Sequence, residues 1–282
     1  MAEFHPASFP ETARLSERVG RVLGLNPGLM TGPGTNTYLV GRRHPILIDT
    51  GVGEPAYVPL LAGFLDGERL GGLGRVALTH RHRDHMGGVP DLRRRYPRIA
   101  VAKLLVNDPS LPGPMEPLAD GAVLRGDGVT LWALHTPGHA SDHLCYYLEE
   151  EQALFTGDLV LGGSTTVIPP DDGDLGQYLD SLRRVLALDP LRLYPGHGPV
   201  LEPARPVIER YIAHRLEREA QILAALGAGA GSVAEVVAVV YRDVEAHLHP
   251  VAQLSVTSHL LKLEREGRVI RTPADPPRYR LA

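Results

Sequence analysis

The sequence predicts an α/β domain, in which helices cover two packed sheets, followed by a small winged-helix-like domain. Up to about residue 203, strand-like apolar runs alternate with helical patterns, and polar residues suited to chemistry directly follow several of the runs. Beyond that point the pattern indicates three helices and a basic two-stranded tail, an order typical of a winged helix-turn-helix. These observations predict two domains, at residues 1–205 and 206–282.

Length and composition are those of a globular protein with a sizeable core. A chain of 282 residues suits two domains at about 150 residues each, and 43% of its residues are apolar. The net charge of −4 and the isoelectric point near 6.3 argue against a general attraction to nucleic acid or to anionic membranes. The single cysteine, Cys145, excludes an intramolecular disulfide and fits a reducing compartment.

Export and membrane insertion are not expected. The first 20 residues lack the uninterrupted apolar core of a signal peptide, and no later run approaches the ~20 apolar residues of a transmembrane helix. We therefore expect a cytoplasmic protein without a membrane partner.

The first half of the larger domain is predicted to contain short strands, turn-rich loops and two helices. The expected elements are strands at 19–25, 37–40, 46–48 and 76–78, and helices at 55–65 and 88–96. The outer face of the second helix carries Arg93, Arg94 and Arg95, which we interpret as a solvated face rather than an RNA-binding patch.

The second half of this domain is predicted to contain a hairpin, a long helix and a further strand. Strand-like runs at 144–148 and 153–156 flank an acidic turn. Apolar residues at helical spacing predict an amphipathic helix over 174–189, with Asp174 at its start. A short strand at 192–194 then leads to the segment PGHG.

The tail is predicted to have helices at 206–226, 233–241 and 252–266, followed by a basic strand-turn-strand. From Lys262 onward, its basic residues outnumber its acidic ones by three. This excess would permit the tail to guide a phosphate backbone, but winged helices also serve as protein-packing modules. Both interpretations are left open.

The stretch THRHRDHMGG, from Thr79 to Gly88, places three histidines and an aspartate within six residues after an apolar run. Alternate side chains of an extended segment share one face, so His80 and His82 can reach one metal ion together. Asp84 and His85 follow at a turn, where consecutive side chains diverge and can address a second ion. Because surface histidines rarely take the spacing H-x-H-x-D-H, we interpret the stretch as metal-binding rather than as a solvated loop.

Three further candidate ligands, His139, Asp158 and His197, also lie just past strand-like runs. Loops at one edge of a rigid sheet can bring such residues together. Seven ligands are too many for one tetrahedral ion, whereas two divalent ions that share one carboxylate and one hydroxide would use them all. Zinc is the expected metal, with manganese or iron as alternatives.

In this order and spacing, THRHRDH, HTPGH, FTGD and PGHG resemble the motifs of the metallo-beta-lactamase superfamily. The resemblance extends over about residues 19–200 and implies an αββα sandwich with a dinuclear metal site. It also implies a ligand set for each ion, with one shared carboxylate. The implied ligands are His80, His82 and His139 for the first ion, Asp84, His85 and His197 for the second, and Asp158 for both.

Further details narrow the branch of the superfamily. A class B beta-lactamase would generally be exported and would usually have cysteine at the position of Asp158, so antibiotic hydrolysis is not expected. The segments NPGLMTGPGTNTYLVG, LIDTG and YPGHGPV, with the tail, are similar to beta-lactamase-like protein 2, a branch of animal endoribonucleases, and to its bacterial relatives. This resemblance implies RNA phosphodiester cleavage as the leading function and single-stranded RNA as the leading partner.

Two other functions remain open at this point. The first is a thioesterase or glyoxalase II-like hydrolase of a small acyl ester or thioester, a group that shares the pattern THxHxDH. The second is a metal-sensing, nucleic-acid-binding regulator, which an open hydroxide position at the metals makes less favoured. The sequence does not decide whether two chains pair as a homodimer.

Two aspartates have expected roles in a hydrolytic mechanism. Metal ions would lower the pKa of a shared water, and Asp84 is the candidate catalytic residue that orients the resulting hydroxide and accepts its proton. Asp49 is expected to hold a ligand histidine by its far ring nitrogen, with a simple strand-end cap as the equal alternative.

Three residues are candidates for a substrate pocket because they follow proposed ligands closely in the chain. They are His143, Thr165 and Thr166. For the two threonines, a role in a turn is an equally good interpretation.

Overall fold

The computed structural model describes residues 9–105 and 111–282, which form two compact units. The first unit contains the described residues up to Thr136, together with Asp142–Thr165 and Asp189–Arg205. The second contains Pro137–Ser141, Thr166–Leu188 and Pro206–Ala282, and so takes in two segments that the sequence analysis assigns to the first domain. None of the helices in the described ranges combines the length and the apolar character that a membrane span requires.

Seven strands of the described chain form one mixed sheet in the first unit, and their order in space is their order in the chain. They are β1 (Thr12–Arg14), β2 (Val19–Leu23), β3 (Asn36–Val40), β4 (Ile46–Ile48), β5 (Arg75–Ala77), β6 (Ala100–Leu104) and β7 (Glu116–Leu118). Neighbouring strands from β1 through β4 pair antiparallel, and neighbouring strands from β4 through β7 pair parallel. Parallel neighbours need long connections, and helices supply two of them here.

Five more described strands form the second sheet of this unit. They are β8 (Val123–Gly126), β9 (Val129–His135), β10 (Leu144–Leu148), β11 (Ala153–Gly157) and β12 (Arg192–Pro195). Strands that are neighbours in this sheet are consecutive in the chain, in the order β12-β11-β10-β9-β8. The pair of β11 and β12 is parallel, and the other pairs are antiparallel.

The two sheets pack face to face around one apolar core. Val40 and Ile48 of the first sheet belong to the same buried cluster as Leu131, Tyr146 and Phe155 of the second. Burial of apolar side chains contributes roughly 25 cal/mol per Å², so this layer is a major source of the unit's stability. The core therefore makes a rigid support for the loops at the strand ends.

The outer face of the first sheet is covered by helices. They are α1 (Tyr57–Gly67), the short α2 (Arg83–Met86) and α3 (Val89–Arg95). Leu61 of α1 and Leu92 of α3 are buried against sheet residues such as Leu47 and Val76. This gives the first unit three layers, one of helices and two of sheet.

The second unit is helical, with a small hairpin. Its described elements are α4 (Leu175–Ala187), most of α5 (Ala204–Gly227), α6 (Val233–Val240), α7 (His249–Arg265), β13 (Val269–Thr272) and β14 (Arg278–Leu281). Ile222, Val236, Leu260 and Tyr279 share one buried apolar cluster, so α5, α6, α7 and the hairpin pack together. This is the arrangement expected of a winged helix.

Helix starts follow local side-chain chemistry. Asp174 precedes α4 and accepts a hydrogen bond from the backbone N–H of Gln177 at 3.0 Å, as its position in the sequence predicts. Ser232 and Glu235 form a reciprocal capping box at the start of α6.

Differences from the predicted elements are local. The strands at 46–48 and 144–148 have the predicted bounds. By contrast, β1 is not predicted, because it is only three residues long and depends on its pairing with β2. Helix α7 begins at His249 instead of residue 252, since Pro250 is tolerated in a first helical turn.

Candidate metal centre

Four strands of the first unit end close to candidate residues. Asp49 follows β4, His80 comes three residues after β5, Asp158 follows β11 and His197 comes two residues after β12. Because β4 and β5 are parallel, as are β11 and β12, the ends of both members of each pair lie at the same edge of their sheet. Loops on such an edge are held by the rigid core, and the four residues can therefore be positioned accurately.

His80 and His82 lie side by side between β5 and α2. Nε2 of His80 and Nδ1 of His82 are 3.0 Å apart, and their ring centroids are 4.5 Å apart. His80 is fully buried, whereas His82 is partly exposed. Two imidazole nitrogens at this separation are close enough to bind one ion, as the alternation of the extended segment predicts.

A second group of side chains surrounds His85. Its Nε2 lies 3.3 Å from Asp158 Oδ1 and 3.6 Å from Asp84 Oδ2. Nε2 of His197 lies 3.2 Å from Asp84 Oδ2 and 3.5 Å from Asp158 Oδ1. Two sets of three ligand atoms, each set within 4.8 Å, could hold an ion: those of Asp84, His85 and His197, and those of His80, His85 and Asp158.

Asp49 orients two of the histidines through hydrogen bonds, directly for His85 and through Thr79 for His80. Its Oδ2 lies 2.7 Å from His85 Nδ1 and accepts a hydrogen bond from Thr79 Oγ1 at 2.8 Å, and its Oδ1 accepts one from the Thr79 N–H at 2.8 Å. Since Thr79 Oγ1 donates to the carboxylate, its oxygen can accept from His80 Nδ1, 3.0 Å away. In both histidines Nδ1 therefore carries the proton, and Nε2 is left as the metal-binding nitrogen.

The charged groups of this cluster shift each other's pKa values. Burial alone raises the pKa of Asp84, but His85 and His197 lower it to about 2. Burial alone lowers the pKa of His197, but Asp158 and Asp84 raise it to about 9. The pKa of His85 is likewise raised despite its burial, and that of Asp158 is lowered despite its burial. In the absence of metal, protonated histidines thus balance the carboxylates, and a metal ion would take the place of those protons.

The residues present fit a divalent ion. His85 Nε2 is buried and makes no hydrogen bond to any described residue, which is costly unless another ligand satisfies it. Gly196 leaves room beside the cluster, since a Cβ atom there would lie 2.7 Å from Asp158 Oδ1 and 2.9 Å from His85 Cε1. Imidazole and carboxylate ligands suit zinc and also manganese or iron.

Comparison with known families agrees with this geometry. The sequence profile of the metallo-beta-lactamase superfamily matches residues 30–197, more than half of the chain. The chain belongs to the metallo-beta-lactamase superfamily. A second profile, the beta-lactamase associated winged helix domain, matches residues 232–275. The expected fold class and winged helix are thereby confirmed, and the protein is a hydrolase of a superfamily whose members typically bind two metal ions.

Relatives within the superfamily include an enzyme with a named activity. The atrochrysone carboxyl ACP thioesterase of Claviceps purpurea is 42% identical over 219 residues, which cover 77% of this chain and 68% of the relative. The lactamase-like protein aptB of Emericella nidulans is 38% identical over 284 residues, covering 97% of this chain and 89% of the relative. A beta-lactamase domain protein from Burkholderia ambifaria has the same fold, with a TM-score of 0.84 at 21% identity over 100% of this chain and 96% of its own.

Six of the seven ligands expected for this superfamily come together in the first unit. They are His80, His82, Asp84, His85, Asp158 and His197. His139 belongs to the second unit, where it is buried and its Nδ1 lies 2.7 Å from the carbonyl oxygen of Val167. That contact leaves Nε2 as the metal-binding nitrogen of His139.

The three candidates for a substrate pocket lie in different surroundings. His143 is fully buried, with Nδ1 2.9 Å from Thr136 Oγ1, and its Nε2 accepts a hydrogen bond from the Asp158 N–H at 3.0 Å. Thr166 is only 2% exposed. The assignment of these residues to a substrate pocket stays a prediction, because closeness to a ligand in the chain says nothing about the direction of a side chain. Thr165 is exposed.

Asn36 is a site residue that the sequence analysis does not single out. Its Nδ2 donates hydrogen bonds to the carbonyl oxygens of Pro195 and Gly198, both at 2.8 Å, and its backbone N–H donates to Gly196 at 2.7 Å. These bonds hold the loop that carries His197. Asn36 lies within the segment NPGLMTGPGTNTYLVG. The resemblance of this segment to relatives is the only feature of the sequence that could have identified Asn36.

Proposed function

We propose that this superfamily member is a dinuclear metal-dependent thioesterase that hydrolyses a thioester carried by an acyl carrier protein. The observation that carries the proposal is the 42% identity to an ACP thioesterase, over 77% of this chain. Of the functions considered from the sequence, thioester hydrolysis therefore has more support than RNA cleavage.

The charges of the tail also give RNA cleavage little support. Of the six basic residues in the tail from Lys262 onward, four form ion pairs inside the second unit. The pairs are Lys262 and Arg268 with Glu219, Arg265 with Asp174, and Arg278 with Glu235. Charges that are neutralised in this way contribute little attraction for a phosphate backbone. The likeness to beta-lactamase-like protein 2, the origin of the RNA hypothesis, has no support in the comparisons above.

The proposed ligands are those that the superfamily motifs imply. They are His80, His82 and His139 for one ion, Asp84, His85 and His197 for the other, and Asp158 for both. Two bound divalent ions would supply a nucleophilic water of lowered pKa and positive charge beside the thioester oxygen. We propose zinc as the metal, with manganese and iron as the alternatives to test.

The reaction adds water across the C–S bond of the thioester. The water oxygen attacks the carbonyl carbon and loses a proton, the C–S bond breaks, and the sulfur leaves as a thiol after taking up a proton. Asp84 is the proposed catalytic residue, because its side chain is 28% exposed while that of His85 is fully buried. Its carboxylate can accept the proton of the attacking water and return it to the departing sulfur.

Neighbouring residues keep this arrangement in place. Asp49 fixes the orientation of His85 directly and of His80 through Thr79. The imidazole of His143 fixes the backbone of Asp158. These supports hold the ligands before the substrate arrives, so little reorganisation is needed during the reaction.

Thiol release from hexanoyl-N-acetylcysteamine, a small thioester, tests the proposal. The wild type loaded with zinc, manganese or iron should release thiol, and Asp158→Ala should reduce the rate by about 100-fold or more. A single-stranded RNA oligonucleotide is incubated in parallel with the same proteins. Metal-dependent RNA cleavage without thiol release would reverse the assignment in favour of a nuclease.

A further inference from the structure

A strongly basic surface lies next to the metal centre in the chain. Residues 81–98 contain six arginines and only two aspartates, although the whole chain has a net charge of −4. The arginines lie on α2, on α3 and directly beside them. The proposed ligand set does not include any of these arginines.

Four of the six arginines present their side chains to solvent, and we call Arg83, Arg94, Arg95 and Arg98 the arginine surface. Among the described residues, Arg83, Arg95 and Arg98 have no carboxylate partner, and Arg94 pairs only with Asp91. Arg93 is excluded because its guanidinium donates to the carbonyl oxygens of Pro112 and Pro114. Arg81 is excluded because it is partly buried.

Part of the arginine surface lies at the end of α3, beside an open depression. Arg94 and Arg95 are adjacent, exposed residues in the last turn of α3, and Arg98 is exposed three residues beyond the end of the helix. Arg94 and Arg95 border an open depression of about 400 Å³, which Pro55, Val58 and Asp91, the partner of Arg94, also line. A basic rim around a partly apolar floor is suited to a protein partner, because the floor can take an apolar side chain and the rim can take carboxylates.

The position of this surface suits a partner protein that carries the substrate on a flexible arm. Helix α3, which carries Arg94 and Arg95, begins at Val89, four residues after His85 in the chain. His82 and Asp84, the partly exposed members of the cluster, flank Arg83 in the chain. A partner bound on α3 would therefore be near the metal centre without covering it.

We propose that the arginine surface is the docking site for an acidic acyl carrier protein, whose phosphopantetheine arm then delivers the thioester to the metal centre. This inference rests on the proposed thioesterase function. Opposite charges on the two proteins would speed their encounter and fix their orientation, while the chemistry stays with the metal ligands.

The kinetic test compares one acyl group on two carriers. Hexanoyl thioesters of a purified acidic acyl carrier protein and of N-acetylcysteamine are hydrolysed by the wild type and by Arg94→Glu/Arg95→Glu. The variant should lose about tenfold in kcat/KM for the protein-bound thioester and stay within about twofold for the small one. Added salt should reduce the difference, because it screens the exposed charges.

A matched control reverses the charge of two other exposed arginines of the same unit. The control variant is Arg43→Glu/Arg125→Glu, and neither residue belongs to the arginine surface. Arg43 forms a surface ion pair with Asp127, just as Arg94 does with Asp91, so each double variant loses one such pair. This variant should hydrolyse both thioesters like the wild type. Equal losses in the two double variants would overturn the proposal, since they would show a general effect of charge, and so would unchanged hydrolysis by Arg94→Glu/Arg95→Glu.

Direct binding keeps the test independent of the thioesterase proposal. Fluorescence anisotropy of labelled holo-carrier protein should show saturable binding to the wild type and about tenfold weaker binding to Arg94→Glu/Arg95→Glu. Absence of binding to the wild type would overturn the docking site even where the small thioester is hydrolysed. Tighter binding of a single-stranded RNA oligonucleotide, lost in the same variant, would also overturn it, in favour of an RNA surface.

Discussion

Asp49 accepts three hydrogen bonds from two residues, and an amide in its place could not accept all of them. His85 Nδ1 and Thr79 Oγ1 meet one carboxylate oxygen, and the Thr79 N–H meets the other. Its backbone has a φ of +59°, a left-handed conformation that Asn also tolerates, so Asp49→Asn changes the side chain without new backbone strain. We expect this variant to bind zinc about 10- to 100-fold more weakly, because the ligand histidines lose their fixed orientation.

Competition against a fluorescent chelator measures that loss of affinity. Asp127→Asn, at an exposed aspartate of the same unit, is the matched control and should bind zinc like the wild type. If Asp49→Asn binds zinc as tightly as the control, Asp49 is only a strand-end cap.

Gly196 offers a steric test of the same centre. An alanine Cβ would lie 2.7 Å from Asp158 Oδ1 and 2.9 Å from His85 Cε1, closer than such atoms can approach. We expect Gly196→Ala to displace these side chains by part of an ångström and to reduce kcat/KM for the small thioester by about 100-fold. Gly63→Ala is the control, because a Cβ there meets no atom within 4 Å. Equal activity of the two variants would place the reaction away from this cluster.

At this scale, the sequence reveals residues whose partners are near in the chain and hides those whose partners are distant. His80, His82, Asp84 and His85 were predicted because their spacing alone indicates a metal. Lys103 and Asp142, a fully buried ion pair, carry no local pattern, since the two residues meet only after the fold forms. Asn36 is hidden for the same reason, as its partners are about 160 residues further along.

Among the elements, α5 and α7 are joined by a buried charge network. Glu219 of α5 is 7% exposed and lies 2.6 Å from both Lys262 of α7 and Arg268. Burial alone raises the pKa of Glu219, but these two cations lower it below its usual 4.5. Glu219→Gln leaves the Lys262 ammonium without this partner, so we expect a loss of about 2 kcal/mol in the free energy of unfolding at pH 7.

The pH dependence of this loss has a definite sign. Because the folded-state pKa is lowered, Glu219 stabilises the protein fully above pH 4.5, and the stabilisation disappears as the pH falls through the folded value. Urea unfolding at pH 7 and at pH 3.5 should therefore show a smaller difference between wild type and variant at the lower pH. Glu217→Gln, at an exposed position two residues earlier, should match the wild type at both. A difference that grows at low pH would contradict the network.

Elements with their own apolar pattern are predictable, and those that depend on a neighbour are not. The strands β4 and β10 are apolar throughout or nearly so, and their bounds were predicted. β1 has the sequence TAR and exists because its backbone pairs with β2. Asp84 and His85 of α2 were predicted to lie at a turn, since a helix of four residues is too short to show a helical pattern.

For the whole molecule, chain order is an incomplete guide to the units. The sequence analysis divides the chain at one point, because the change in pattern after residue 203 is the only visible boundary. The second unit nevertheless includes α4, where Asp174 forms an ion pair with Arg265 of α7. A helix that is distant in sequence joins a unit through such contacts, which a linear pattern does not show.

Metal binding should contribute to the stability of the whole chain. Without metal, the cluster keeps a buried, unsatisfied nitrogen on His85 and carboxylates whose charges only protonated histidines balance. An ion that binds only the folded state, at a free concentration a thousand times its Kd, adds about 4 kcal/mol to the free energy of unfolding. For a chain of this size we expect a chelator to lower the Tm by about 10 °C, as measured by calorimetry.

Asp158→Ala separates this linkage from other effects of the chelator. The variant removes a carboxylate that lies 3.3 Å from His85 and 3.5 Å from His197, so its affinity for metal should be much lower. Its Tm should therefore respond to the chelator by only a few degrees, and zinc returned in excess should restore the Tm of the wild type alone. An equal response of both proteins would mean that the chelator acts elsewhere, because only the wild type keeps the carboxylate between the two histidines.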